Sequence, residues 1–354
     1  MGLVIQQGIH LTVAMNSDLR TNNNGNSRTA FLTGATGFLG SHLAAELQQQ
    51  GWRVLALTRS PKAAETVHSW GCTAVDLHAL FNDPRSIDFA SIDAVFHLAG
   101  LTKTIRMQEF TVVNALLTAD ILKLIWQAGF RGRFIHISSL AAAGPVSGQQ
   151  PRTLNQPESP VSYYGKSKLM GERVAKKWAR RLPVTILRPG AIYGPRDKDF
   201  LEVLKTLQWG VSLAVGGPMC VQLTHVQDVV SACIASAESP ECIGKTYFVN
   251  DSHVWDYDEA MNVMANHLGV TRVRTVRLPQ GLAKGLAQTL DFASRLAGKP
   301  LTPFTKDKWR EVSAGNWIAD STPLSDDSTW APSVSLSHGM QETIAWYKDE
   351  GQLK

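Results

Sequence analysis

The sequence has 354 residues, of which 44% are hydrophobic and 18% charged, so it can bury a large core in one domain or in two joined ones. Its 35 basic and 30 acidic side chains give a net charge of only +5 and are scattered along the chain, which argues against a nucleic-acid-binding protein. Weak contact with an anionic membrane surface stays open, but no stretch reaches the roughly 18 apolar residues of a membrane-spanning helix.

The cysteines and the first residues indicate the kind of compartment. Cys72, Cys220, Cys233 and Cys242 form no C-x-x-C pair and no zinc-finger spacing, so we expect neither a metal site nor a disulfide framework. Reduced thiols are typical of a cytoplasmic protein, which is the predicted location. Residues 1–28 end in a polar, turn-rich stretch and are predicted to be a disordered leader.

From Thr29 onward, short apolar or β-branched runs alternate with longer amphipathic segments. The order is a strand "TAFLTG", a helix from about Phe38 to Gln50, a strand "RVLALT", a helix near 62–69, and the strands "TAVDL" and "AVFHLAG". A helix through "TVVNALLTADILKLIWQAG", the strand "RFIHISS", a helix with "YYGKSK" and the strand "VTILRP" follow. This rhythm predicts a parallel sheet covered by helices on both faces.

A glycine-rich stretch, "TGATGFLG", stands directly between the first predicted strand and the first predicted helix. Gly34 permits a tight turn, Gly37 lets the backbone approach a diphosphate, and Gly40 allows the helix to pack closely on the strand. The N-terminus of the helix supplies amide donors and a positive dipole for phosphates. The position of this turn therefore predicts a dinucleotide-binding site.

The stretch "SYYGKSK" at residues 162–168 contains two adjacent tyrosines. Tyr164 and Lys168 are four residues apart, so on a helix both side chains lie on one face, within reach of a shared ligand, whereas Tyr163 has no such partner. This spacing favours Tyr164 as the tyrosine with a chemical role.

Taken together, Thr-Gly-x-x-Gly-x-x-Gly, "HISS" and Tyr-x-x-x-Lys resemble the extended short-chain dehydrogenase/reductase family. The similarity runs from about Thr29 to the C-terminus and includes the stretches "FHLAG", "LRPGAIYGP", "THVQDVV" and "TIAWYKDEG". It implies an α/β fold, a Rossmann doubly wound parallel sheet with a smaller, interwoven C-terminal substrate lobe. The dinucleotide-binding domain would comprise residues 29–188, with 220–250 returning to it, and the substrate lobe residues 189–219 and 251–354.

The resemblance also implies catalytic roles. Tyr164 would exchange a proton with the substrate, and the ammonium of Lys168, with the positive nicotinamide, would favour the phenolate and also bond the nicotinamide ribose. Ser139 matches the serine that holds the substrate oxygen, while strand alternation suggests that Ser138 points away. Asn114 resembles the asparagine of a proton relay, with a purely local hydrogen-bonding role equally open.

We expect NADP, with NAD less favoured, because the end of the second predicted strand has Thr58 near the position where NAD-binding relatives have an acidic residue, followed by Arg59. A guanidinium can hold a 2′-phosphate that a carboxylate would repel, and Lys62 is a possible helper. The other cofactor contacts implied by the resemblance are Gly34, Thr36, Gly37, Phe38, Leu39, Asp76, Leu77, Leu98, Ala99, Gly100, Tyr164, Lys168, Pro189 and Gly190.

For the substrate, Pro189 and Gly190 resemble the dihydroflavonol reductase and 3β-hydroxysteroid dehydrogenase branches, whereas many nucleotide-sugar enzymes have an asparagine in this motif. This favours an NADP-dependent oxidoreductase acting on an apolar or aromatic ketone or secondary alcohol, with no metal. The alternatives are a nucleotide-sugar 4-epimerase or dehydratase with tightly bound NAD, and a non-catalytic dinucleotide sensor. Family analogy predicts a homodimer formed through the helices that carry Asn114 and Tyr164.

One segment in the predicted substrate lobe has leucines at regular intervals. Leu278, Leu282, Leu286 and Leu290 recur every four residues and predict an amphipathic helix. We expect this leucine face to pack against the sheet, rather than to line a lipophilic pocket or touch a membrane.

Overall fold

The computed structural model describes residues 27–299, 301–302 and 304–353, so the predicted disordered leader lies outside the described residues except for its last two. The strands are β1 (Thr29–Thr33), β2 (Arg53–Thr58), β3 (Thr73–Asp76), β4 (Ala94–His97), β5 (Arg133–Ile137), β6 (Val184–Pro189), β7 (Ala191–Tyr193), β8 (Val211–Val215), β9 (Cys220–Val221), β10 (Leu223–His225), β11 (Thr246–Val249), β12 (Trp255–Asp256) and β13 (Arg274–Leu278).

The helices alternate with the strands in the first part of the chain and dominate the last part. They are α1 (Phe38–Gln49), α2 (Pro61–Ser69), α3 (Leu77–Asn82), α4 (Met107–Thr111), α5 (Leu117–Gln127), α6 (Leu140–Ala143), α7 (Tyr163–Trp178), α8 (Lys198–Leu207), α9 (Val226–Glu238), α10 (Tyr257–His267), α11 (Gln280–Leu296), α12 (Lys306–Val312), α13 (Thr322–Asp327) and α14 (Leu336–Asp349). Among these described helices, none is long and apolar enough to cross a bilayer.

Seven strands form one parallel sheet in the order β11-β6-β5-β4-β1-β2-β3. The strand order reverses between β1 and β4, which are neighbours in the sheet although they are not consecutive in sequence. Ligands of doubly wound sheets bind at such a reversal, beyond the carboxyl ends of the strands. This sheet confirms the predicted fold class.

Both faces of the sheet are covered. Along β1, Ala30 and Leu32 pack into a core that includes residues of α1 and α9, whereas Phe31 packs into a second core with residues of α5 and α7. The alternation follows from the period of two residues in a strand and explains why β1 is buried throughout.

A smaller lobe is built from later segments of the chain. Its core contains residues of α8, α10 and α14, including Tyr193, Met264 and Tyr347, and three two-stranded sheets pair β10 with β7, β12 with β9 and β13 with β8. The packing differs from the predicted division in two places. Leu324 and Trp330 pack into the core of the large sheet, whereas Val221 and Leu223 pack into the core of the smaller lobe. Trp330 Nε1 donates a hydrogen bond of 2.8 Å to the carbonyl of Asp228, which holds the segment after α13 against α9.

The expected packing of the leucine-rich helix is wrong. α11 buries Ala283 and Ala287, while Leu282 and Leu286 are exposed, with 68% of the surface of Leu282 accessible. The residues of α11 that face the protein are small, so α11 lies closely on α12 and its large apolar side chains point outward.

Candidate active site

The glycine turn between β1 and α1 has room for no side chain at two positions. Gly34 has φ +76°, and a Cβ there would lie 2.8 Å from the amide nitrogen of Ala99. A Cβ on Gly40 would lie 2.1 Å from the carbonyl oxygen of Gly34. The close approach of α1, β1 and the end of β4 therefore requires glycine at both positions.

The N-terminus of α1 is open to an anion. Gly37 caps the helix without a side-chain hydrogen bond, so the first amides of α1, beginning with those of Phe38 and Leu39, have no capping side chain as acceptor. Thr36 and Gly37 are exposed beside them. These donors, together with the helix dipole, fit the diphosphate of a dinucleotide.

The end of β2 lies next to this turn and has no carboxylate. Thr58 is buried, and its hydroxyl donates a 3.3 Å hydrogen bond to the carbonyl of Val75, while Arg59 and Lys62 are exposed. Asp76, at the end of the neighbouring β3, accepts a 2.8 Å hydrogen bond from the amide of Ala79 and caps α3. Asp76 thus has a structural role here, whatever its contact with an adenine.

The residues after β4 connect the glycine turn to α7. The amide of Ala99 donates a 3.1 Å hydrogen bond to the hydroxyl of Thr33, and the amide of Leu98 donates to the carbonyl of the same threonine. A Cβ on Gly100 would lie 3.5 Å from Lys168 Nζ and 3.4 Å from Asn114 Oδ1. Because Gly100 has no side chain, the loop after β4 lies close to Lys168 and Asn114.

Tyr164, Lys168 and Ser139 lie together. The side chain of Ser139, whose hydroxyl accepts a 3.1 Å hydrogen bond from the amide of Ala141, lies beside the phenol of Tyr164. Lys168 Nζ donates a 2.5 Å hydrogen bond to the carbonyl of Ile137, at the end of β5. Ser138 points away, because its hydroxyl donates to the buried carboxylate of Glu172. This arrangement joins a proton donor, a second hydroxyl and an ammonium at the carboxyl end of β5.

The two tyrosines have different surroundings. Tyr164 is half-buried, its ring centroid lies 6.1 Å from that of Phe110, and its phenol lies beside Ser139. Tyr163 is exposed, and the guanidinium of Arg310 lies 4.8 Å above its ring. Only Tyr164 faces the candidate site.

Burial shifts the pKa values of Tyr164 and Lys168. It raises the pKa of Tyr164 to about 12, with the Ser139 hydrogen bond acting in the opposite direction and the charge of Glu311 adding to the increase. It also lowers the pKa of Lys168 to about 8, against the charge of Glu172. Lys168 was expected to favour the phenolate, but in the protein alone burial is the larger effect on Tyr164, and the phenol is protonated at neutral pH.

Asn114 is buried in a one-turn π-helical stretch, Val112–Leu116, between α4 and α5. Its side chain accepts a 2.7 Å hydrogen bond from the amide of Leu101 and donates to the carbonyl of Leu101 and the hydroxyl of Ser167. Asn114 therefore fastens the loop after β4 to α7. Its side chain has the local hydrogen-bonding role that the sequence left open.

Pro189 and Gly190 lie at the end of β6, the next strand of the sheet. A Cβ on Gly190 would lie 2.1 Å from Oδ1 of Asn250, which is buried behind it. A larger residue at position 190 would thus displace Asn250. Glycine allows the backbone after β6 to pack closely against Asn250, which directly follows β11.

Sequence reasoning missed two acidic residues that support α7. Asp307 accepts hydrogen bonds of 2.8 and 3.0 Å from the amides of Tyr163 and Tyr164, and Glu311 accepts one of 2.8 Å from the hydroxyl of Ser162. Both belong to α12, more than 140 residues away along the chain. No local signal marks them, because a capping contact between distant segments leaves no fixed spacing in the sequence.

Two further observations concern parts of the protein outside this candidate site. Across the described ranges, no group of three His, Cys, Asp or Glu side chains is placed to hold a metal ion. A surface pocket of about 410 Å³ between α1, α9 and residues 329–333 contains none of the predicted site residues. The candidate chemistry is therefore concentrated between the glycine turn and α7.

Comparison with known proteins finds clear relatives. The profile of the NAD dependent epimerase/dehydratase family matches residues 30–250. Over 330 residues, the chain is 30% identical to ceramide reductase of Caulobacter vibrioides, covering 91% of this chain and 95% of that protein.

Solved structures have the same fold. UDP-glucuronic acid 4-epimerase from Bacillus cereus, in complex with NAD, is 21% identical with a TM-score of 0.69, over 91% of this chain and 99% of that one. RMD from Pseudomonas aeruginosa, in complex with NADPH, is 19% identical with a TM-score of 0.66, over 92% and 100% of the two chains. At these identities, the structural similarity shows the fold and leaves the reaction open.

Proposed function

Because the chain belongs to the NAD-dependent epimerase/dehydratase family, and so is an NAD(P)-dependent enzyme of the extended short-chain dehydrogenase/reductase type, we propose that it reduces an apolar ketone with NADPH. The observation that carries this proposal is the placement of Tyr164 beside Ser139, with the buried Lys168 four residues further along the helix of Tyr164. These groups suit proton transfer to a carbonyl oxygen.

The chain's own residues act on the carbonyl group. The hydroxyls of Ser139 and Tyr164 donate hydrogen bonds to the carbonyl oxygen, which polarises the carbonyl carbon. The nicotinamide, when bound, supplies the hydride for that carbon. Tyr164 then gives its proton to the oxygen, and the Lys168 ammonium stabilises the phenolate that remains. The raised pKa of Tyr164 keeps the phenol protonated at neutral pH until this step.

The donors at the site fit NADP. The glycine turn with Thr36, Phe38 and Leu39 would hold the diphosphate, and Arg59, helped by Lys62, would hold the 2′-phosphate. Asp76 and Leu77 would flank the adenine. Leu98, Ala99, Gly100, Pro189 and Gly190, with Tyr164 and Lys168, would hold the nicotinamide riboside.

An apolar substrate is supported by two observations. The relative with 30% identity over most of both chains is a ceramide reductase. Pro189 and Gly190 replace the asparagine with which many nucleotide-sugar enzymes contact the diphosphate. We propose a ketone attached to a long apolar or aromatic group.

The cofactor proposal predicts the effect of Arg59→Ala. We expect the Kd for NADPH to rise roughly 10- to 100-fold, because a charge-assisted hydrogen bond to the phosphate is lost. The Kd for NADH, which has no 2′-phosphate, should not change. Fluorescence titration of both reduced dinucleotides measures this difference.

Arg53→Ala is the matched control for Arg59→Ala. Arg53 is exposed at the opposite end of the same strand, away from the glycine turn, so its removal should leave both affinities unchanged. Equal NADPH affinity in wild type and Arg59→Ala would show that Arg59 does not read the phosphate.

The pKa of Lys168 predicts a pH dependence of cofactor binding. If its ammonium bonds the nicotinamide ribose, the bond exists below pH of about 8 and is lost above it. The Kd for NADPH should then rise by up to about tenfold per pH unit above that value. Titrations across this range should give a flat profile in Lys168→Met, and a flat profile in the wild type would contradict the proposed contact.

The second candidate function is that of a nucleotide-sugar 4-epimerase or dehydratase. It is supported by the shared fold of the Bacillus cereus 4-epimerase. Such an enzyme regenerates its cofactor during each turnover. Mass spectrometry of the purified protein distinguishes the two, since tightly bound NAD and binding of UDP would favour the epimerase. Absence of turnover with ketones and sugar nucleotides alike would favour a dinucleotide sensor.

We also propose a homodimer in the cytoplasm. Val112, Leu116 and Met170 are exposed apolar side chains on the segments that carry Asn114 and Tyr164, where the dimer was predicted. Their exposure supports an interface there, and sedimentation equilibrium of the wild type measures the oligomeric state.

A further inference from the structure

The outer side of α11 is apolar, and we define the α11 face as Leu282, Leu286, Phe292, Leu296 and Leu301. All five side chains are exposed, and Leu296 reaches 75% accessibility. Ala283, Ala287 and Ser294 form the buried side of the helix. An exposed apolar patch of this kind, on a helix whose small residues face inward, marks an interaction surface.

The chain around the α11 face is basic. Residues 271–310 contain nine lysines and arginines and only two acidic residues, Asp291 and Asp307, although the whole protein has a net charge of only +5. Both acidic side chains are buried and form ion pairs with Arg295 and Arg310. The segment therefore presents positive charge to solvent.

Several of these cations have no ionic partner. Among the described residues, no carboxylate lies within 4.0 Å of Arg274, Lys284 or Lys299. Lys284 and Lys299 belong to α11 or follow it directly, and all three residues are exposed. The surface thus combines apolar side chains with cations that have no carboxylate partner, which we call the unpaired cations.

The two strands that precede α11 also expose apolar side chains. Leu213 of β8 and Val276 of β13 are register partners and are both exposed, so their side chains lie side by side. Trp209, just before β8, is 83% accessible, the highest value among the exposed large apolar residues of the described ranges. Tryptophan is the side chain most typical of a membrane interface.

From the α11 face and its unpaired cations we propose that this part of the protein binds the surface of an anionic lipid bilayer. A helix with apolar side chains on one face and lysine or arginine beside them lies in the interfacial region, where the apolar side chains leave water and the cations meet lipid phosphates. The proposal concerns a surface outside the candidate active site and does not rest on the proposed reaction.

Charge argues against two other partners for the α11 face. A second copy of the same surface would bring its cations against these, which is repulsive. The chain before residue 27 contains only Asp18 and Arg20 as charged residues, so it could not neutralise this segment. An anionic bilayer satisfies the apolar and the cationic groups together.

The α11 face lies one helix from the catalytic helix. α11 packs on α12, where Lys284 Nζ lies 5.7 Å above the ring of Trp309. α12 in turn holds the N-terminus of α7 through Asp307 and Glu311. Docking of α11 would therefore place the bilayer near the lobe that supports Tyr164.

Vesicle flotation of the full chain tests this proposal without any substrate. The wild type should float with vesicles of equimolar phosphatidylcholine and phosphatidylglycerol, and much less with phosphatidylcholine alone. The triple variant Leu282→Glu/Phe292→Glu/Leu296→Glu should bind the anionic vesicles at least about tenfold more weakly, because it loses apolar contact and adds negative charge. Lys284→Glu/Lys299→Glu should weaken binding to anionic vesicles only.

The matched control is Ile243→Glu, since Ile243 is an exposed apolar residue outside residues 271–310. Its flotation should equal that of the wild type. All variants should keep the wild-type Tm and NADPH affinity, which separates loss of docking from loss of fold.

Four results would overturn the proposal. The first is a wild type that stays in the soluble fraction, and the second is a triple variant that floats as well as the wild type. The third is a wild-type dimer that the triple variant converts to monomer, and the fourth is flotation only after deletion of residues 1–26. The third result would assign the α11 face to a second copy, and the fourth to the N-terminal segment.

Discussion

Tyr164→Phe is expected to lower kcat by about 10²- to 10⁴-fold, the usual contribution of a positioned general acid. The substitution removes only the phenolic hydroxyl, and with it the proton that the alkoxide needs. Lys168 and the glycine turn remain, so the Kd for NADPH should change little. NADPH oxidation with a ketone substrate, together with a cofactor titration, measures both quantities.

Tyr163→Phe is the matched control for this experiment, because it makes the same chemical change one residue earlier. Tyr163 is exposed, and its ring lies below Arg310, outside the candidate site. Its kcat should stay within about twofold of wild type. Equal losses in both variants, or full activity in Tyr164→Phe, would rule out Tyr164 as the proton donor.

Glu172→Leu is expected to reduce the free energy of unfolding by about 3–5 kcal/mol, because it leaves a buried charge without its main partner. The carboxylate of Glu172 is fully buried and accepts hydrogen bonds of 2.8 and 2.6 Å from Arg188, and another from Ser138. Arg188 lies within β6, where 3% of its side chain is accessible. Urea denaturation of the wild type and the variant measures the loss.

Two further variants identify the cause of that loss. Glu158 also pairs with Arg188, at 3.0 Å, but is a third exposed, so Glu158→Gln should cost only about 1 kcal/mol. Glu172→Leu/Arg188→Met removes both buried charges and should be more stable than Glu172→Leu alone. A double variant less stable than the single one would contradict a penalty from the unpaired arginine.

The fold was predictable where local pattern and sheet geometry agree. In the first 190 residues, apolar runs of strand length alternate with amphipathic segments, and a parallel sheet is the arrangement that buries both. Gly34 and Gly40 could be assigned because their spacing reflects contacts within one βαβ unit. The later lobe has short strands paired with distant partners, such as β8 with β13, and no periodicity specifies these pairings.

The candidate site was predictable for residues whose relation is local. Tyr164 and Lys168 follow from helix spacing, and the different orientations of Ser138 and Ser139 follow from alternation in a strand. Asp307 depends on the packing of a distant lobe against α7, which the sequence does not encode at any fixed distance.

The α11 face shows a different limit of sequence reasoning. A four-residue interval of leucines indicates an amphipathic helix but does not say which face is buried. Here small residues give the closer packing, so Ala283 and Ala287 face the protein and Leu282 faces outward. The buried side of α11 is thus formed by small residues rather than by its leucines.

The most direct measurement uses NADPH that carries deuterium at the transferable position of the nicotinamide, incubated with long-chain and aromatic ketones. Mass spectrometry of the products should find one deuterium on the carbinol carbon of an alcohol made by the wild type, and almost none with Tyr164→Phe. A protein that leaves every ketone unchanged while it epimerises a UDP-sugar, with no net consumption of NADPH, would contradict the account.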